Sequence, residues 1–268
     1  MIKRFFKTMG VLVVIAIIAT TFAMLVYNPE YEFIIPEATK FIAHRGHSSE
    51  YYENSEQAFL SAAESEFFFA IETDIWLTSD GVWVCAHDAN PFEDESVYIH
   101  DITYEQAISL PLKPSSNYPQ HSTEGLRVVS LQRYLEICYE YDKMAIIELK
   151  YTPDKQEIAD LIDFVESKIP LERVQFISFH QRNIENIRQE NTEIMVQTLS
   201  SNLVLVMLLM DAGDNLGINQ SIANQSVLQR AKDSEGIINV WTINDVEKAR
   251  ELIEAKVDYI TTDYILEI

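Results

Sequence analysis

From residue 40 onward the spacing of apolar positions changes period again and again. Short runs rich in Ile, Val and Phe alternate with longer stretches in which apolar residues recur at helical spacing. The first pattern is that of buried strands, the second that of amphipathic helices. Strands are predicted at 41–45, 70–76, 144–149, 174–179, 194–199, 216–219, 238–243 and 259–262. Helices are predicted at 54–66, 130–141, 154–168, 182–189, 202–210, 226–232 and 245–255. Eight strands with helices between them predict an α/β fold, a closed (β/α)8 TIM barrel. An open doubly wound sheet competes with it, but no Gly-rich fingerprint supports that architecture.

Two stretches break the rhythm. The run Ile71 to Leu77 is followed by Ser79-Asp80-Gly81 and a second apolar arm, Val82 to Ala86. An Asp-Gly pair between such arms is a hairpin signal. A two-residue turn at Asp80-Gly81 sets Ser79 against Val82 and Asp74 against His87. Glu72, two residues from Asp74, then points from the same face. Residues 88–127 carry four prolines, Pro91, Pro111, Pro114 and Pro119, and no helical or strand period. They read as a small insertion after strand two.

Residues 1–38 follow another logic. Lys3, Arg4 and Lys7 lie in a basic segment, 1–8, ahead of an uncharged apolar run at 9–27. At helical rise that run spans roughly 28 Å, close to a bilayer core. Acids follow it, in a linker at 28–38. The charge asymmetry predicts a single-pass anchor at the cell membrane, with the domain at 39–268 on the extracytoplasmic side. A cleaved signal peptide is the competing reading, and the length of the run favours the anchor. A second uncharged run, Leu203 to Met210, is too short to span. It reads as a helix buried against the barrel, or else as an exposed apolar ridge that touches lipid.

A net charge of −22 excludes nucleic acid as a natural partner, because its phosphates would be repelled. An anionic substrate would need a local cation. The two cysteines, Cys85 and Cys138, both sit in apolar patterns and read as buried free thiols.

In a (β/α)8 barrel the chemistry lies at the C-terminal strand ends. Those ends carry His44-Arg45-Gly46, Glu72 with Asp74, Glu148-Leu149-Lys150, Ser178-Phe179-His180, Trp241 to Asn244, and Asp263. A carboxylate inside a run such as Ile146-Ile147-Glu148-Leu149 is costly unless paired or ligating. Any one of these residues alone would pass for a rim ion pair; three acids, two histidines and a lysine together would not. Oxygen ligands of this type suit a hard divalent cation. His47, His100 and His121 read as surface or loop residues, and His180 as a rim hydrogen bonder.

The set Ala43-His44-Arg45-Gly46, Glu53-Asn54, Glu72-Thr73-Asp74, Asp80-Gly81 with His87-Asp88, Glu148-Leu149-Lys150, Trp241 to Asn244 and Thr262-Asp263 resembles the glycerophosphodiester phosphodiesterase family. The motifs run in that family's order. The resemblance implies a TIM barrel with a small subdomain after strand two, and metal-dependent hydrolysis of a small-molecule or lipid-derived glycerophosphodiester to sn-glycerol 3-phosphate and an alcohol. It implies that His44 and His87 are the acid/base pair and that Glu72, Asp74 and Glu148 hold Ca²⁺ or Mg²⁺. Arg45 and Lys150 match positions near the substrate phosphate, Asn54 a supporting residue, and Trp241 an aromatic of the pocket wall. The sequence departs from the family at Tyr52-Glu53-Asn54-Ser55, where Pro-Glu-Asn-Thr is usual, and at Ala89 to Glu93. Those departures leave open the contacts to the alcohol. The same site could instead serve a lysophospholipase D-like enzyme or one that cuts glycerophosphate polymers of a cell envelope.

Overall fold

The apolar runs pair as expected of parallel strands. The computed structural model describes residues 39–268. Its strands are β1 (Lys40–Ala43), β2 (Phe68–Leu77), β3 (Trp83–Cys85), β4 (Val129–Ser130), β5 (Met144–Leu149), β6 (Val174–Ser178), β7 (Met195–Ser200), β8 (Leu216–Asn219), β9 (Ile238–Trp241) and β10 (Tyr259–Thr262). They form one sheet in the order β1-β10-β9-β8-β7-β6-β5-β2-β3-β4, and β1 also pairs with β2. That pairing closes the eight parallel strands into a barrel. β3 adds antiparallel to the upper half of β2, and β4 adds antiparallel to β3.

Alternation along the strands builds two cores. Ile42, Ala70, Ile146, Ile177 and Leu199 share the inner face and fill the barrel beneath its mouth. Residues of the opposite face, such as Ile71, Ile147, Phe176 and Val196, pack outward against the helices. Tyr134, fully buried in the helix Leu131–Glu140, donates its hydroxyl to the Ile71 carbonyl at 2.6 Å and accepts from Ile146 N at 2.9 Å. It ties that helix to β2 and β5. Cys85 and Cys138 are buried free thiols.

The hairpin differs from expectation by one register. Ile75 pairs with Cys85, Trp76 with Val84 and Leu77 with Trp83, so Asp74 opposes Ala86, not His87. The loop has three residues, Ser79 to Gly81, and not two. Thr78 is the reason: its Oγ1 accepts from Val82 N at 2.9 Å and donates to Asp80 Oδ1 at 2.7 Å. Gly81, at φ +81°, closes the loop in the left-handed region, a combination typical of three-residue hairpins. Ala86 N still bonds Asp74 O at 3.0 Å, so His87 leaves the hairpin directly beside Asp74.

Between β3 and β4 the chain makes the expected excursion. It has a small core of its own, including Phe92, Ile99, Ala107 and Leu112, a 3-10 turn at Ile99–Asp101 and a short α-helix, Tyr104–Ala107, closed by a capping box at Thr103 and Gln106. The run read as buried at 203–210 forms the helix Leu203–Asp211, but only Val206 and Met210 of it are buried. Val204 is 69% exposed and Leu208 62% exposed. The helix is thus only partly buried against the barrel, and one side of it is an exposed apolar surface. His47, read as a surface residue, is buried: its Nδ1 lies 2.9 Å from Ser61 Oγ. The anchor expected at 9–27 and the linker at 28–38 lie outside the described residues. Among the described residues no helix is long and apolar enough to cross a membrane.

Candidate active site

β2 and β5 run in parallel with Asp74 beside Glu148 and Glu72 beside Ile146. Glu72, Asp74 and Glu148 therefore rise together on the inner face at the barrel mouth. All three are buried, and each offers an oxygen such that the three atoms lie within 4.8 Å of one another. Three carboxylates this close repel one another. Burial, then Asp74 and Glu148, push Glu72 well above the usual range. Burial, then Asp74, lift Glu148 to about 7 against the partial relief of Lys150. Asp74 goes the other way: burial alone would raise it, but Arg45, Lys150 and His87 outweigh burial and hold it below the ordinary aspartate value. The cluster thus carries strain that one more positive charge would relieve.

Two cations already lean on the cluster. Lys150 Nζ lies 2.9 Å from Glu148 Oε1 and 3.2 Å from Asp74 Oδ1. Arg45 bonds Glu53 Oε2 through Nη1 at 2.7 Å, and its Nε lies 3.2 Å from Asp74 Oδ2 without hydrogen-bond alignment. β1 ends at Ala43, two residues earlier than the sequence pattern predicts, because Arg45 adopts φ 57° and Gly46 φ 79°. That turn delivers the Arg45 backbone N–H to Glu72 Oε2 at 2.8 Å. A Cβ on Gly46 would meet the Ala58 carbonyl carbon at 2.6 Å, so only glycine fits. Asn54, also left-handed at φ 55°, donates Nδ2 to Asp74 Oδ2 at 3.0 Å and accepts from Thr73 Oγ1 at 2.7 Å. It fixes the Asp74 carboxylate from behind.

The two histidines stand on either side, each turned by a carboxylate. His44 Nδ1 lies 2.7 Å from Asp263 Oδ1. Asp263 is buried and also accepts from Ser48 Oγ at 2.9 Å, Asn244 Nδ2 at 2.6 Å and the Tyr118 hydroxyl at 2.9 Å. Burial alone would raise Asp263, but the His44 contact and the other donors hold it well below the usual range. His87 Nδ1 lies 2.8 Å from Asp88 Oδ1. Burial lowers the His87 imidazole from its ordinary value, against the pull of Asp74. An imidazole that donates from Nδ1 keeps Nε2 bare for proton transfer.

Trp241 ends β9 at the same mouth, its ring set edge-on to Phe179 with centroids 5.5 Å apart. The structure thus brings His44, Arg45, Asn54, Glu72, Asp74, His87, Glu148, Lys150 and Trp241 to one rim. His180 is exposed and its side chain makes no cap bond to the helix Gln181–Glu190. Residues to which the sequence reading gave no role stand close by: Glu53, Asp88, Asp263, Asn244, Lys113 and Tyr118. The pairs His87-Asp88 and Thr262-Asp263 were visible signals for two of them. Nothing in the spacing of residues 88–127 marks Lys113 or Tyr118.

The profile of the glycerophosphoryl diester phosphodiesterase family matches residues 44–267, from the first histidine to the last residues of the chain. The chain belongs to this family. A glycerophosphodiester phosphodiesterase of Bacillus altitudinis is 24% identical over 239 residues, covering 84% of this chain and 95% of that protein. A glycerophosphodiester phosphodiesterase of known structure from Parabacteroides distasonis is 27% identical, with a TM-score of 0.67 over 84% of this chain and 93% of that one. A phosphodiesterase from Oleispira antarctica, solved in complex with the product sn-glycerol-3-phosphate, is similar at 22% identity and a TM-score of 0.70, over 85% of this chain and 94% of that one. The family match makes this chain a glycerophosphodiester phosphodiesterase.

Proposed function

We propose that the chain hydrolyses glycerophosphodiesters to sn-glycerol 3-phosphate and an alcohol, with a divalent cation held by Glu72, Asp74 and Glu148. One observation carries the proposal: three buried carboxylates converge between two imidazoles, each oriented by its own acid. The donor set fits the cation. It is made of hard oxygens, which suit Ca²⁺ or Mg²⁺. Bound there, the ion would neutralise negative charge on the phosphoryl group.

The chain's own residues do the rest. Arg45 and Lys150 provide N–H donors at the rim for the anionic diester oxygens. One imidazole accepts the proton of the attacking hydroxyl at Nε2. The other returns a proton to the oxygen of the departing alcohol as the phosphorus–oxygen bond breaks. With water as the attacking group the balance is diester plus water to monoester plus alcohol. Trp241, at the end of β9 and edge-on to Phe179, offers an aromatic surface at the same end of the barrel.

A second reading has its own support. Phe179, 48% exposed, follows β6; Leu203, 43% exposed, begins the helix after β7. β6 and β7 are neighbours, so both residues follow strand ends at the end of the barrel that carries the acids, and Val204 and Leu208 are exposed on the same helix as Leu203. A rim of this kind suits a lysophospholipid, cleaved by the same chemistry. The apolar run 9–27 supports attachment to the cell membrane, with the barrel on the extracytoplasmic side. Glycerophosphocholine, a lysophospholipid and a glycerophosphate polymer, each assayed with chelator and after return of single metals, test both readings. Chelator-sensitive release of glycerol 3-phosphate from glycerophosphocholine is expected. Turnover of the lipid or polymer alone would replace the first reading, and no metal-dependent turnover of any diester would end both.

A further inference from the structure

The excursion at 88–127 touches both histidines through their acids. Lys113 Nζ lies 3.0 Å from Asp88 Oδ2, and the other oxygen of that carboxylate faces His87 Nδ1 at 2.8 Å. Five residues on, the Tyr118 hydroxyl donates to Asp263 Oδ2 at 2.9 Å, and the other oxygen of Asp263 faces His44 Nδ1 at 2.7 Å. The two relays have the same form: a residue of the excursion grips the far oxygen of the carboxylate that turns an imidazole. We propose that residues 113–118 are a positioning clamp, in which Lys113 sets His87 through Asp88 and Tyr118 sets His44 through Asp263. This rests on the reading of His44 and His87 as the proton carriers.

The segment is built to hold its place. Leu112 is buried in the excursion's own core and bridges to Phe92. Lys113 N donates to Pro91 O at 2.9 Å, and its carbonyl accepts from the Tyr52 hydroxyl at 2.9 Å. The Tyr118 ring stacks on His121 with centroids 5.5 Å apart, and His121 Nε2 lies 3.1 Å from Ser49 O. Tyr118 N also donates to Ser115 Oγ at 3.3 Å and its carbonyl accepts from His121 N at 3.1 Å, so both side chains stand on a held backbone.

The two arms bear unequal loads. Asp88 is half exposed, with a side chain 46% accessible, and without Lys113 its carboxylate can swing into water. Asp263 is buried and keeps His44, Ser48 and Asn244 as donors when Tyr118 is lost. A geometry error at a proton carrier is felt mainly in the chemical step.

Lys113→Met, Lys113→Arg and Tyr118→Phe test the clamp on glycerophosphocholine and on the 4-nitrophenyl ester of glycerol phosphate. Lys113→Met should lower kcat by roughly 10–100-fold with KM changed less than about twofold, and Lys113→Arg should recover most of it. Tyr118→Phe should lose less. The nitrophenolate leaves without a proton, so the loss should shrink on that ester for one arm only, the arm that sets the general acid. Unchanged kcat in both neutral variants, or equal losses on both substrates for both arms, would overturn the clamp. Proton NMR of the Nδ1–H signals gives a readout that needs no substrate. Each neutral variant should broaden or shift the signal of its own histidine and spare the other. If the unaltered protein hydrolyses neither diester, the functional reading fails; the clamp fails separately if those signals are unmoved.

Discussion

His44 and His87 meet their acids in different surroundings, and the difference is chemical. Asp263 is buried and four times bonded, whereas Asp88 stands half in water. Replacement of Asp263 by Asn should lower kcat by roughly 10–100-fold, because the amide no longer anchors the charged imidazole, while divalent-metal affinity measured by calorimetry stays unchanged. His44→Ala should likewise abolish turnover and leave metal affinity intact. Glu148→Gln should do the reverse first, weakening the metal before any other defect is seen. Equal loss of metal from His44→Ala and Glu148→Gln would contradict this division between proton carriers and ligands. The nine marked residues all lie at the barrel mouth: strand ends and a two-residue period pointed to most of them, the hairpin pointed to His87 with a register one residue off, and family resemblance alone pointed to Asn54. Lys113 and Tyr118 were invisible, because a side chain that reaches across from an irregular segment leaves no period to read.

At the scale of elements, two glycines do different work. Gly46 takes φ +79° and a Cβ there would press on the Ala58 backbone. Gly81 takes φ +81° with nothing within 4 Å of its Cβ position. Gly81→Ala should therefore cost about 1 kcal/mol in urea denaturation, the backbone strain alone, with activity retained. Gly46→Ala should cost about 3 kcal/mol, as strain and overpacking add. It should also lower turnover by roughly 100-fold, because His44 and Arg45 sit on the displaced turn. If the two variants behave alike, packing at the first turn is not what sets the site. The hairpin shows where reading from the sequence stops. Asp-Gly announced a turn, but loop length was decided by Thr78 and Asp80 side chains bonding the backbone. The strands' existence was legible from apolar runs; the end of β1 was not, since two left-handed residues in succession follow from contacts made elsewhere. The helix Leu203–Asp211 misled in the same way, because apolar composition says nothing of which face finds a partner.

For the whole molecule, the central balance is between an acidic cluster and the charge it can hold. Burial, then Asp74, push the Glu148 carboxyl up to about 7, against 4.5 in an ordinary glutamate. Its contribution to stability is therefore fully present below about pH 4.5 and is lost as pH rises through 7; Glu72 acts in the same direction. These carboxylates favour pH 5 over pH 7.5 in the metal-free protein, while His87 and His47, lowered by burial, pull the other way, so the melting temperature should fall from pH 5 to pH 7.5 more steeply in the unaltered protein than in Glu148→Gln. Added Ca²⁺ or Mg²⁺ should raise the melting temperature far more at pH 7.5, where the ligands are ionised, and Glu148→Gln should flatten both trends. A pH dependence untouched by the cation would place the effect in the overall charge of −22. The most direct test is an anomalous difference map from crystals soaked in Mn²⁺. The account predicts one strong peak among Glu72, Asp74 and Glu148, with an oxygen of each at about 2.0–2.5 Å. No peak there, or a peak held by other residues, would contradict it.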